Sequence, residues 1–178
     1  MKSYPDLFSS HRSDETKEEM VTIHDHLKAR FAFTRQDLEQ VLGRLKDSDL
    51  PWAPREGMPT IADLLLEIAN KEKETLVWVQ KGVWPDEDPD AFDTQSATLH
   101  KIRSTFGLLR TATYAYIDSL SEAELEESVH SPERWWEAMR QTECPLSEVL
   151  RNIAVHEWYH TAQLVTYLWL RGDDPKHW

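Results

Sequence analysis

The sequence has a single cysteine, Cys144, which rules out an internal disulfide framework and fits a reducing cytoplasm, the expected location. It has five glycines, none of them arranged as a phosphate-cradling loop. No apolar run approaches the ~20 residues of a membrane span. The N-terminal stretch MKSYPDLFSSHRSDETKEE has no apolar signal core. There is no basic excess either: 20 Lys and Arg stand against 32 Asp and Glu, for a formal net charge of -12. That field repels phosphate backbones, and the cations are interspersed with acids, so neither nucleic acid nor membrane is an expected partner. Strand-like alternation, internal repeats and low-complexity segments are all missing.

What is present is a chain of 178 residues, 40% hydrophobic, with eight tryptophans. That is enough for one domain, 1–178, with a full core. Residues 1–15 read as an extended arm. Helical spacing of Met20, Ile23, Leu27, Phe31, Leu38, Leu42 and Leu45 predicts a first helix over 16–46. A Pro-rich connection over 47–59 follows. Thr60, with Asp63 in capping-box position, opens a second helix over 61–81 that Gly82 ends. A second Pro- and Asp-rich connection covers 82–94. A third helix is expected over 95–120, with Ile102, Phe106, Leu109 and Thr113 on its inner side. Residues 121–144 form a long connection that carries Trp135 and Trp136 and is expected to pack on the bundle. A last helix runs from Pro145 to Gly172 on a stripe of Leu146, Val149, Leu150, Ile153, Leu164 and Leu168. Four such helices predict an all-α, antiparallel four-helix bundle, and the first two connections are long enough to allow a crossover.

The last helix carries the chemistry. His156 and His160 lie four residues apart, so their rings stack on consecutive turns of one face. Two readings stand for them: core histidines, each with its own hydrogen bond, or two ligands of one divalent cation. The letters His156-Glu157-Trp158-Tyr159-His160 also spell HExxH, in which two histidines bind zinc and the glutamate is a general base. A metalloprotease of that kind needs a third ligand. The extended pattern would put Gly at 163 and His at 166, where this chain has Gln163 and Thr166. Glu157 is the one candidate catalytic residue, as a base near a metal; the other reading makes it a carboxylate at the bundle edge. Trp158, Tyr159 and Trp135 are either pocket walls or core. Cys144 precedes Pro145 at a helix start, where a thiolate is favoured, but no histidine is near it in sequence. On the second helix, Glu72 falls centrally on the apolar face and calls for a cationic partner, whereas Glu67 lies on the flank and reads from periodicity as a surface group.

Three stretches together resemble the DinB-like family of four-helix bundles, described with the YfiT-like metal-dependent proteins. They are Leu50-Pro51-Trp52-Ala53-Pro54-Arg55-Glu56-Gly57, Thr60 to Ala69 with Glu72 beyond, and His156-Glu157-Trp158-Tyr159-His160-Thr161-Ala162-Gln163-Leu164. The resemblance implies a divalent metal held by one residue of helix two and two histidines of the last helix. His156 and His160 match directly. Glu67 stands where the family has a third histidine, with Glu72 as fallback. Two histidines and a carboxylate suit zinc or nickel, with manganese or iron as alternatives. The carboxylate's added charge makes bound water less acidic than three imidazoles would. The resemblance further implies a metal-dependent enzyme on small molecules, with thiol S-transferase chemistry that joins a low-molecular-weight thiol to an electrophile, and a homodimer. Its alternatives are a non-enzymatic stress-response or binding bundle with a structural or vestigial metal, and an HExxH metallohydrolase.

Overall fold

The computed structural model describes residues 21–85, 89–131 and 141–178. The expected N-terminal arm, Trp135 and Trp136 lie outside them. Helix α1 spans Ile23–Arg44 and starts at a capping box in which Thr22 accepts from the Asp25 amide while Asp25 accepts from Thr22. Helix α2, Ile61–Lys81, has the capping box expected of Thr60 and Asp63, and Gly82 closes it at φ 71°, a left-handed conformation that a Cβ would oppose. Helix α3 spans Leu99–Asp118 and the short α4 spans Glu122–Glu126. Helix α5 runs over Leu146–Leu170.

One feature was not legible as alternation. Ser128–His130 (β1) and Glu143–Pro145 (β2) pair antiparallel, with Val129 opposite Cys144. Three-residue strands are too short to show a period of two. Cys144 therefore lies on a strand, 3% exposed, with its Sγ 3.6 Å from the Ser131 hydroxyl, and α5 begins one residue after Pro145.

The four long helices form a ring. Helix α5 packs on α1 and α2, and α3 packs on α2 and α1. The core falls into two apolar clusters, one at each end of the bundle. The first includes Leu38, Leu42, Ile61, Leu65, Ile68, Ile102, Phe106, Leu164 and Leu168. The second includes Leu27, Phe31, Trp78, Ile117, Leu146, Leu150 and Ile153. The sequence order within these clusters gives the helix directions: α1 and α5 run one way, α2 and α3 the other. The connection between α2 and α3 must therefore travel the length of the bundle. Trp84, near its start, packs on the second cluster, and Phe92, near its end, is buried in the first. This is the crossover that the length of the second connection allows. Asn70 and Lys73 of α2 pin it: Asn70 accepts from the Ala91 amide and donates to Asp90, and Lys73 donates to the Pro89 carbonyl. No helix among the described residues is long and apolar enough to cross a membrane.

Candidate metal centre

Helix periodicity puts His156 and His160 on the face of α5 that meets α2. There the two Nε2 atoms come within 3.2 Å of each other, and the ring centroids within 4.4 Å. Glu67 of α2 faces them: one ligand atom from each of Glu67, His156 and His160 lies within 4.8 Å of the others. His160 is buried, His156 is half-buried and Glu67 is exposed, so the cluster sits where the core meets solvent. Glu67 is thus both the flank residue that periodicity describes and the residue that reaches the histidines.

Local hydrogen bonding fits the cluster to a divalent cation. Nδ1 of His160 lies 2.7 Å from the Gln163 Oε1 atom. An amide oxygen only accepts, so Nδ1 carries the proton and Nε2 keeps its lone pair facing the cluster. Gln163 is fixed in turn by donating from Nε2 to the Tyr159 hydroxyl at 3.3 Å. His156 is poorly satisfied: its Nδ1 is buried with no hydrogen-bond partner among the described residues. Two Nε2 atoms 3.2 Å apart share at most one proton, whereas a cation between them and Glu67 takes lone pairs from both rings.

Burial, then His160 and then Lys71, lower the His156 pKa from 6.5 to about 3. A neutral ring is the ligand form. In metal-free protein the unfolded chain takes up a proton at this ring below pH 6.5 while the folded chain resists it. Stability is therefore full above that value and is lost as pH falls toward 3, by up to ~1.4 kcal/mol per pH unit. Denaturant unfolding between pH 7 and 4 measures the slope. It should be shallower in His156→Gln, and an unchanged slope would remove His156 as its cause.

A cleft of about 450 Å³ opens beside the cluster. Leu66, Glu67, Asn70 and Lys71 of α2, His156 of α5, and Trp84 and Asp90 of the crossover line it. The crossover residues are ones that periodicity does not single out, because they lie in a connection. Their signal is compositional only, a tryptophan and acids after a helix-ending glycine. The α5 aromatics stand elsewhere. Trp158 is 53% exposed and lines a separate groove against α1, and Tyr159 supports Gln163 from outside.

The two remaining carboxylates of the sequence reading are placed differently from what HExxH chemistry requires. Glu157 is 1% exposed, so it is neither a base at the metal cluster nor a bundle-edge group. One residue on from His156, it projects into the bundle centre, where Arg35 donates to both of its oxygens at 3.1 and 2.9 Å and Arg110 donates to Oε2 at 2.7 Å. Glu72, wholly buried, has the cationic partner its central position calls for. Arg110 grips it at 2.8 and 3.2 Å, Arg35 reaches it at 3.4 Å, and the Thr113 hydroxyl donates at 2.8 Å. Both Glu72 oxygens are occupied there, away from the histidines. Burial by itself would lower the Arg110 pKa, but Glu72 and then Glu157 outweigh it and raise it, so the guanidinium is charged at any physiological pH. Both arginines had a sequence signal. Arg35 lies in the stripe Phe31, Leu38, Leu42, and Arg110 in the stripe Phe106, Thr113, Ile117, so each interrupts a buried face once.

Residues 30–164 match the family model described as the DinB superfamily. No match to a curated protein was found. Among solved structures, a protein from Streptococcus pneumoniae aligns with a TM-score of 0.63 at 18% identity, over 83% of this chain and 91% of that one. An uncharacterized protein from Clostridium difficile 630 aligns with a TM-score of 0.63 at 15% identity, over 81% of this chain and 94% of that one. These two likenesses show the bundle fold. The family match spans α2 and the histidine pair of α5, covering Glu67, His156 and His160, and the chain belongs to the DinB superfamily.

Proposed function

We propose that this protein is a metal-dependent enzyme that transfers a low-molecular-weight thiol to a small electrophile, with Glu67, His156 and His160 holding one divalent ion. The observation that supports it is the pairing of a converging His/His/Glu donor set with an open cleft beside it. A structural metal site would be closed by a fourth protein ligand. Among the described residues the cluster instead offers three donors, and the residue from α2 is exposed. A divalent cation there supplies Lewis acidity that lowers a bound thiol's pKa and holds it as thiolate. The chain supplies the rest. Gln163 holds the His160 tautomer, Glu67 adds the anionic donor, and Trp84 provides an apolar wall for the substrate's body. Glu157 takes no part in proton transfer, because its carboxylate is committed to two arginines. That separates this reading from HExxH hydrolysis, which needs that carboxylate at the metal.

Metal analysis of protein purified without tag or chelator should give about one divalent ion per chain. Cobalt substitution followed by a small thiol should then produce a sulfur-to-cobalt charge-transfer band. A loaded protein whose spectrum does not respond to any thiol would sink the thiol chemistry and leave a metal-binding bundle.

A further inference from the structure

Each of the four long helices interrupts its buried stripe once with a charge: Arg35 on α1, Glu72 on α2, Arg110 on α3 and Glu157 on α5. The four meet in one layer between the two apolar clusters. Arg110 bonds both carboxylates, and it also donates from Nη1 to the Phe31 carbonyl of α1 at 2.9 Å. Arg35 bridges the same two carboxylates from the other side. Phe106 lies under Arg35 at 4.8 Å and Phe31 under Arg110 at 4.4 Å. Stability does not require such a layer, since replacing a buried ion-pair cluster with apolar side chains is often neutral or stabilising. What ionic groups provide and leucines do not is register. Aliphatic ridges at helical spacing accept a neighbour displaced by one turn, whereas a guanidinium fork fits a carboxylate in one place.

We propose that this layer is the positioning element of the metal site, fixing the axial register of α5 against α2 so that Glu67 falls opposite His156 and His160. The magnitude supports this. A one-turn slip moves a helix by about 5.4 Å, more than the 4.8 Å within which the three ligand atoms lie. Glu157 sits between the two histidines on α5, and Glu72 lies five residues beyond Glu67 on α2. Each arginine that holds both carboxylates thereby holds the ligand-bearing turns of both helices. Arg35 and Arg110 are positioning residues: they touch no ligand of the proposed metal.

This inference rests on the proposed metal site, and its test separates the two. The variant Arg35→Met/Glu72→Met/Arg110→Met/Glu157→Met replaces the layer with side chains of similar length. It should keep its helical circular dichroism and a melting temperature at or above the parent's. It should bind zinc at least tenfold more weakly. In metal-free protein its His156 and His160 ring nitrogens should give more than one set of NMR resonances, where the parent gives one. Zinc affinity within twofold of the parent, or a single set of ring resonances in the folded variant, overturns the proposal. If the fourfold variant does not fold, Arg35→Met is compared with Ile117→Val, a core truncation that removes none of the layer's ionic contacts. Zinc affinity at least threefold lower in Arg35→Met and unchanged in Ile117→Val supports positioning, and equal affinities overturn it. A parent that binds no zinc defeats the metal reading, and the metal-free ring resonances then decide the register question alone.

Discussion

Arg110→Ala should lower the stability of this protein by about 3–5 kcal/mol, because it leaves two buried carboxylates facing one partly buried guanidinium. For a chain of this size that corresponds to a fall in melting temperature of roughly 6–20 °C. The loss combines an uncompensated charge in the core with the ring contacts that Arg110 makes to Phe31 and Tyr114. A surface arginine gives the contrast. Arg103 bonds Glu39 at 3.1 Å, with both side chains more than two-fifths exposed. Arg103→Ala should cost less than about 1 kcal/mol. Thermal unfolding of both variants measures the difference. Equal losses would mean that water reaches the Glu72–Arg110 pair as it reaches the surface pair.

Zinc should stabilise the parent strongly. At free zinc near a thousandfold the dissociation constant, binding to the folded state alone adds about 4 kcal/mol, or roughly 8–16 °C in melting temperature. The shift should vanish in His156→Ala/His160→Ala and shrink in Glu67→Gln, whose side-chain amide keeps the shape but not the charge. A shift that survives the double histidine variant would place the binding site elsewhere. A shift retained in full by Glu67→Gln would remove the α2 carboxylate from the donor set.

The two predictions concern opposite sides of the same two helices, and the sequence disclosed those sides unequally. His156 and His160 stand out because imidazoles one turn apart have few uses on an apolar stripe. Glu72 also gave a usable signal, since a carboxylate in the middle of a buried face needs a cation. Glu157 misled for a definite reason. Embedded in HExxH, it reads as chemistry, yet its carboxylate is buried and held by Arg35 and Arg110, two cations from other helices that the motif itself does not reveal. Glu67 was the reverse case: periodicity placed it on the flank, and the flank of α2 is where the histidines emerge. Helix existence was legible from spacing and from the Thr60/Asp63 cap. The paired strands around Val129 and Cys144 were not, because three residues do not establish a period. Nor were the crossover contacts, since Trp84 and Asp90 reach the cleft through a connection whose path depends on tertiary packing.

That path has a consequence for how such a protein diversifies. The donor set rides on two helices locked together through the bundle centre, while one wall of the adjoining cleft is a strap outside the helical ring, pinned through Asn70 and Lys73. A change of sequence around Trp84 or Asp90 alters the shape and charge presented to an incoming molecule without touching a helix that carries a donor. If the proposed metal-dependent activity holds, selection for a new substrate has a part of the chain to work on that is separate from the part proposed to hold the ion, and the two are free to change at different rates.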